Sequence, residues 1–286
     1  MHPINTELAE SLVASQFPKW KDLSIQPIEN DGWDHRTFRL GNELLLRFPS
    51  AECYAAQVKK EHAWLPRLAS LLPLPIPTPL AMGKPSENYH WTWSVYRYIE
   101  GTPASIAPIT DFCMFATQLA EFLIALEKID PKNGPPPGPH CFHRGGSLKV
   151  YDSETRQALE ILKDQINSKK AHELWDAAIA TEWKKPSVWV HGDMNASNLL
   201  IENGRLSAVI DFGMLNVGDP ACDLAIAWTF FEGESREAFL SAMPFDHETL
   251  LRGKAWTLWK ALIVAAGLSH SNAINAFPVL NTLLES

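Results

Sequence analysis

Cysteine is scarce in this chain: Cys53, Cys113, Cys141 and Cys222 are the only four in 286 residues, far apart and without Cys-x-x-Cys or Cys/His spacing. That argues against both a zinc module and a disulfide scaffold, and a reducing cytoplasm is the expected location. Positive charge is in deficit. The 25 Lys and Arg against 33 Asp and Glu leave a formal charge of −8, which repels phosphate backbones and lacks the basic surface of a nucleic-acid binder. Long apolar runs are missing too. The longest late one, 261–268, is too short to span a bilayer, and 1–16 carries Glu7 and Glu10 with no basic start, so neither a membrane span nor a secretory leader is expected. No internal repeat or low-complexity tract is present.

What is there is apolar and aromatic. Hydrophobic residues make up 46% of the chain, with 11 Trp and 13 Phe, the usage of a globular protein with a sizeable core. At about 150 residues per domain, the length permits one large domain or two lobes. Leu8, Leu12 and Val13 at helical spacing predict a first helix ending near Phe17 and Pro18, packed on a sheet edge. Three short strands follow, over 24–29, 37–40 and 43–48, with turns at Asn30-Asp31-Gly32 and Gly41-Asn42. A helix is predicted over 52–72, kinked or ended early by Pro66. Alternate prolines at 73, 75, 77 and 79 make an extended connector, and 91–99 reads as a strand. The pattern breaks at 100–103, where the lobe boundary is placed: 1–101 and 102–286. Beyond it, 111–128 is a helix, 131–146 a Pro/Gly loop, and nearly everything after 215 helical. Strands first and helices later predict an α+β fold of two lobes, with a ligand cleft between them.

One constellation carries chemistry. His191-Gly192-Asp193 opens an H-x-D-x-x-x-x-N pattern ending at Asn198, and Asp211-Phe212-Gly213 follows; this is the arrangement of phosphoryl-transfer sites. Between them, two strand-like segments are joined by Asn203-Gly204, a strong hairpin signal. A two-residue turn there sets Asn198 opposite Val209 and Ala196 opposite Asp211. Asn198 and Asp211 become diagonal neighbours about 7–8 Å apart, able to share hard cations. We therefore expect Asn198 and Asp211 to hold Mg²⁺ and Asp193, in the preceding loop, to act as base or orienting group for an acceptor hydroxyl.

This block, continued by Gly218-Asp219-Pro220-Ala221-Cys222-Asp223-Leu224-Ala225, resembles the aminoglycoside phosphotransferase family of small-molecule kinases. The resemblance extends over nearly the whole chain through 32–40, Glu61 with Leu65-Pro66, and 94–101. It implies a protein-kinase-like fold with a β-rich N-lobe and a helical C-lobe. Residues 31–37 would cover the nucleotide phosphates, Tyr96, Arg97, Tyr98 and Ile99 would form the hinge that binds adenine through its backbone, and Glu61 would fix the phosphate-binding cation. The family generally has Lys on the third strand, where this chain has Arg47, a wider cation able to fork onto two phosphate oxygens. Glu232, Glu234 and Asp246 fall where the family places its acceptor walls, and acids there suit an amine-bearing substrate. A solvated acidic face is the competing reading. Trp228, Trp256 and Trp259 read as pocket lining or, for 256 and 259 at their helical spacing, as core, and Asp223 as a structural brace of the catalytic loop.

The expected activity is Mg²⁺-dependent transfer of the γ-phosphate of ATP or GTP to a hydroxyl of a small molecule, with an aminoglycoside or related antibiotic as the leading acceptor. No membrane, nucleic-acid or obligate protein partner is expected. Other family substrates, namely macrolides, choline-like alcohols, amino-acid alcohols and sugars, stay open. So does a catalytically inactive nucleotide- or ligand-binding protein, for which Arg47 is the only support. A protein kinase fits worse, because the chain lacks a G-x-G-x-x-G loop, has Gly192 in place of the catalytic-loop arginine, and begins a helix soon after Gly213.

Overall fold

A computed structural model describes residues 3–28, 34–269 and 274–285. The predicted turn at Asn30-Asp31-Gly32 and the start of the expected phosphate-covering hairpin lie outside the described residues. Helix α1 (Thr6–Gln16) begins at Asn5, whose side chain accepts the Leu8 N–H and satisfies one of the orphan donors of the first turn. Its buried Leu8, Leu12 and Val13 pack beside β1 (Ile25–Pro27), the edge of a sheet. Strands β2 (His35–Leu40) and β3 (Leu44–Pro49) continue that sheet antiparallel, and helix α2 (Glu52–Leu68) crosses it. Pro66 ends α2 less abruptly than expected. It removes one N–H from the i→i−4 ladder near the C-terminal end, yet the helix runs two residues further and tightens into a 3-10 turn at 69–71.

The prolines at 73, 75 and 77 lie in the extended connector, but Pro79 opens a strand the sequence reading lacked: β4 (Pro79–Gly83), paired with β5 (Trp93–Arg97). β4 is an edge strand with Leu80 and Met82 exposed, so it needs neither a β-branched core pattern nor the Pro79 N–H. The sheet order is β1-β2-β3-β5-β4. Its core stacks Phe48 on Trp93 at 4.8 Å, both fully buried; burial of each such side chain contributes about 1.5–3 kcal/mol.

The second lobe opens with β6 (Thr102–Pro103), followed by α3 (Phe112–Glu127) capped by Asp111, then α4 (Asp152–Leu162) and α5 (Ser168–Ile179). Strand β7 (Val188–Val190) leads into the loop that carries Asp193, and β8 (Leu199–Glu202) and β9 (Arg205–Val209) form the expected hairpin, which β6 joins. After it, β10 (Asn216–Gly218) pairs with β7, a strand inside the region expected to be helical; short pairing with a buried neighbour overrides local preference there. Helices α6 (Ile226–Thr229), α7 (Gly233–Ala242), α8 (His247–Ala265) and α9 (Ala276–Glu285) complete the lobe. A β-rich first lobe and a mainly helical second one make the fold α+β.

The hairpin corrects the predicted register. Asn203 and Gly204 both have positive φ, as a two-residue turn of this kind requires. Glu202 then pairs with Arg205 and Ile201 with Leu206, but Leu200 pairs with Ala208 and Leu199 with Val209. Ser207 is the extra residue, a bulge held by its hydroxyl donating to the Leu200 carbonyl at 3.0 Å. Val209 therefore faces Leu199 and not Asn198, and Ile210 N–H reaches the Asn198 carbonyl at 2.8 Å. Asp211 leaves the ladder in a left-handed conformation, φ 63°.

Candidate active site

The 191–198 loop is held by one buried carboxylate. Asp223 accepts the His191 N–H on Oδ2 and the Gly192 N–H on Oδ1, both at 2.7 Å. Burial pushes its pKa up, while these two N–H groups pull it down. His191 supports the loop a second way: Nδ1 accepts the Asp193 N–H at 3.2 Å and Nε2 donates to the Ile210 carbonyl at 3.0 Å. That ties the loop to the end of β9. Gly192 makes the turn at φ +85°, where a Cβ would lie 2.7 Å from the Met214 carbonyl oxygen, so only glycine fits.

Asp193 follows. Its Oδ2 accepts from the amides of Asn195 and Asn198, each at 3.2 Å, and the Asn198 amide also donates to the Asp193 carbonyl at 2.9 Å. The other carboxylate oxygen has no partner among the described residues. Burial and the nearby charge of Asp211 raise the Asp193 pKa, opposed by Arg144. An oriented carboxylate with one oxygen free and a raised proton affinity is suited to accept a hydroxyl proton.

Arg47 is where the two lobes meet. Nη1 donates to Glu61 Oε1 of α2 at 3.3 Å, and Nη2 donates to Asp211 Oδ1 at 2.7 Å and contacts His35 Nδ1 at 3.3 Å. Both prongs of the fork expected for phosphate oxygens are thus engaged by protein. Burial would lower the Arg47 pKa, but Asp211, Glu61 and Asp34 raise it far above its ordinary value. Asp34 bonds His35 at 3.0 Å; burial would raise its carboxyl, yet the His35 hydrogen bond and the His35 and Arg47 charges hold it well below the usual range. Glu61 is fully buried, which removes the alternative of an exposed helix charge.

The predicted hinge divides. The Tyr96 side chain is buried on β5 and its hydroxyl donates to Glu61 Oε2, so it belongs to the Arg47 cluster. The N–H groups of Arg97 and Tyr98 donate to the Thr78 and Glu43 carbonyls, at 2.9 and 2.8 Å, because both lie within or beside the sheet. Those two amides are not available to adenine. Of the four, Ile99 alone offers an N–H not used within the described fold, while the Tyr98 ring is covered by the Arg39 guanidinium at 3.7 Å.

The acidic acceptor wall is not assembled either. Asp246 caps α8, accepting from the Thr249 N–H and hydroxyl, and pairs with Lys185 at 2.9 Å. Glu232 and Glu234 are exposed at the start of α7, where carboxylates suit the helix dipole. What lies near Asp193 instead is Arg144, on the Pro/Gly loop, and Lys260, on α8, with Trp256 and Trp259 buried beneath them. Sequence reasoning placed Asp34 and His35 only within the phosphate-covering segment and missed Asn195, Arg144 and Lys260, of which the adjacency of Asn195 to Asp193 alone gave a local signal.

Among the described residues no group of three or more His, Cys, Asp or Glu is arranged for a metal. The oxygen of the Asn198 amide and Oδ2 of Asp211 have no partner among the described residues, however, because Asn198 uses its nitrogen on Asp193 and Asp211 gives Oδ1 to Arg47. Two hard oxygen donors, completed by substrate phosphates and water, suit Mg²⁺.

A small lobe whose strand cation pairs with a helix carboxylate, set above a loop carrying an oriented aspartate, is a kinase-like phosphotransferase arrangement. Residues 24–256 match the model of the phosphotransferase enzyme family, and the chain belongs to that family. It is 25% identical over 161 residues to the hygromycin-B 4-O-kinase of Escherichia coli, covering 53% of this chain and 47% of that protein, so the chain spans about half the length of this curated relative. The fold is that of an aminoglycoside 2'-phosphotransferase-IIIa solved with GDP, TM-score 0.71 at 18% identity over 98% of this chain and 97% of that one. A macrolide 2'-phosphotransferase, MphH from Brachybacterium faecium, superposes with TM-score 0.63 at 21% identity over 91% and 90% of the two chains. No helix among the described residues is long and apolar enough to cross a membrane.

Proposed function

We propose that this protein transfers the γ-phosphate of ATP or GTP to a hydroxyl of a small molecule, with the nucleotide held by residues 1–101 and the acceptor by 102–286. The observation that carries the reading is Asp193: one carboxylate oxygen fixed by two amides, the other free, on a loop clamped by Asp223. Asp193 takes the hydroxyl proton as the acceptor oxygen attacks. Asn198 and Asp211 would hold Mg²⁺, which when bound supplies neutralising charge at the phosphate oxygens. Arg47, fixed by Glu61, places a permanent cation at the phosphate end of the cleft, and Ile99 offers a main-chain N–H to the base. A solved relative bound to ATP and streptomycin and another bound to GDP support a nucleoside triphosphate as donor. One relative is named a hygromycin-B kinase, another a macrolide phosphotransferase, and a third is solved with kanamycin bound, which sets the first panel to try.

One observation favours the inactive, nucleotide-binding alternative: Arg47 spends both prongs on protein. Calorimetric titration with ATP and with GTP, with and without Mg²⁺, tests both readings. The kinase reading expects metal-dependent binding, and expects Asp193→Asn to bind nucleotide within about threefold of wild type while turnover falls about 10²–10⁴-fold. Retained turnover in that variant would refute the assigned base.

A further inference from the structure

The acceptor side of the cleft has a charge that the expected aminoglycoside does not match. Arg144 sits one residue before Gly145, whose carbonyl accepts the Asp219 N–H at 2.7 Å and whose backbone packs on Val190, the residue before His191. This loop is therefore fastened directly beside the catalytic one. The Arg144 guanidinium carbon lies 4.7 Å from the Trp259 ring centroid and 5.2 Å from that of Trp256, with Tyr151 stacked on Trp259 at 4.0 Å. It rests on an aromatic floor and has no carboxylate or carbonyl partner among the described residues. Lys260, on the same helix as the two tryptophans, brings its ammonium to 5.9 Å from the Trp259 ring, again without an ion pair. The Asp193 carboxylate is near enough for its charge to act on Lys260 and for that of Arg144 to act on Asp193. One further acid stands close by, Glu154, and its Oε1 is already bonded to Trp259 Nε1 at 2.6 Å.

Two half-buried cations that repel each other and lack a fixed counter-ion carry a desolvation cost that a bound anion would offset. A guanidinium lying on indole rings keeps its N–H edge free, which is the geometry for a bidentate oxyanion. We propose that the acceptor carries an oxyanion group, a carboxylate or a phosphate ester, gripped by Arg144 and Lys260 over Trp256 and Trp259 so that its hydroxyl reaches Asp193. The same charges disfavour a polycationic acceptor. This proposal rests on the kinase reading, and it differs from the relatives' named aminoglycosides in the sign of charge it selects.

The test uses the full chain with a non-hydrolysable nucleotide and Mg²⁺. Binding is measured by calorimetry for hydroxycarboxylic acids against their methyl esters, for sugar phosphates against the parent sugars, and for kanamycin and hygromycin B. Members that bind are then assayed for turnover with ATP. We expect at least one anion-bearing series to bind about tenfold or more tighter than its neutral counterpart, the two series separating carboxylate from phosphate. Arg144→Gln and Lys260→Gln should each erase that preference, raising acceptor KM with nucleotide affinity within about twofold of wild type. Arg144→Lys should recover part of it. Equal or tighter binding of the neutral or polycationic members, or no binding of any anionic member by protein that binds nucleotide, overturns the proposal. So does a loss confined to nucleotide affinity in Arg144→Gln, which would place that cation on the transferred phosphoryl group. Failure to bind any nucleotide would instead overturn the kinase reading, and the anion preference is then measured without nucleotide.

Discussion

Asp223→Asn tests the clamp on the loop that carries Asp193. In the wild type, each Asp223 oxygen accepts one backbone N–H, from His191 and Gly192, at 2.7 Å and with 3% of the residue exposed. Asparagine keeps the shape and one acceptor, but its NH₂ must face the other N–H. One charge-assisted hydrogen bond, worth about 1.5–3 kcal/mol, is lost, and a buried N–H is left unpaired at a further cost of about 1–3 kcal/mol. Loss of the carboxylate's own desolvation penalty, evident in its raised pKa, returns part of this. The net expectation is about 2–4 kcal/mol of destabilisation. Gly192 cannot swing aside, because Met214 already closes on it. The assay pairs urea unfolding with amide hydrogen exchange at His191 and Gly192, where protection should fall by roughly thirtyfold or more. Turnover should fall with it, since Asp193 is the next residue, while nucleotide affinity changes little. Unchanged exchange at both amides, with stability within about 0.5 kcal/mol of wild type, would refute the clamp.

Two further predictions concern buried charge. Arg252 Nε donates to Asp219 Oδ2 at 2.6 Å with both side chains almost inaccessible, so Arg252→Met should cost about 3–5 kcal/mol by stranding the carboxylate. Burial already raises the Asp219 pKa, and the unpaired group would take a proton as pH falls through its raised folded value. The deficit should therefore shrink toward pH 5 and largely disappear in Arg252→Met with Asp219→Asn; a pH-independent deficit would argue against the pair. Glu127 is pushed up to about 8 by burial and by the charges of Asp223 and Asp219. Because its folded value lies above the unfolded one, the stability it contributes is complete below the ordinary glutamate range and is lost as pH climbs toward 8. Glu127→Gln should gain about 2–4 kcal/mol more at pH 8.5 than at pH 5, and an equal effect at both would contradict the shift.

The chain's own chemistry made much of this readable. The spacing from His191 through Asp193 to Asn198, with Asp211-Phe212-Gly213 beyond, is local and rare, and Asn203-Gly204 demanded a hairpin whose turn residues do take positive φ. The pairing of Arg47 with Glu61 followed from resemblance and is met at 3.3 Å. Strand-rich and helix-rich halves declared an α+β fold, since periods of 2 and 3.6 are properties of short segments.

Tertiary structure decided the rest, wherever an outcome depended on a partner distant in sequence. The bulge at Ser207 shifted the register by one, because a hydroxyl-to-carbonyl bond across the ladder is invisible to turn chemistry. Tyr96 went to Glu61 because β5 lies over α2, not because of its own neighbours. Asp246 became a cap and an ion-pair partner of Lys185, not part of an acidic wall. The gathering of Arg144, Lys260, Trp256 and Trp259 beside Asp193 joins a loop, a late helix and the catalytic turn, segments separated by tens of residues. Sequence periodicity specifies which face of an element is apolar; which remote side chain meets that face is set only when the two lobes close their cores.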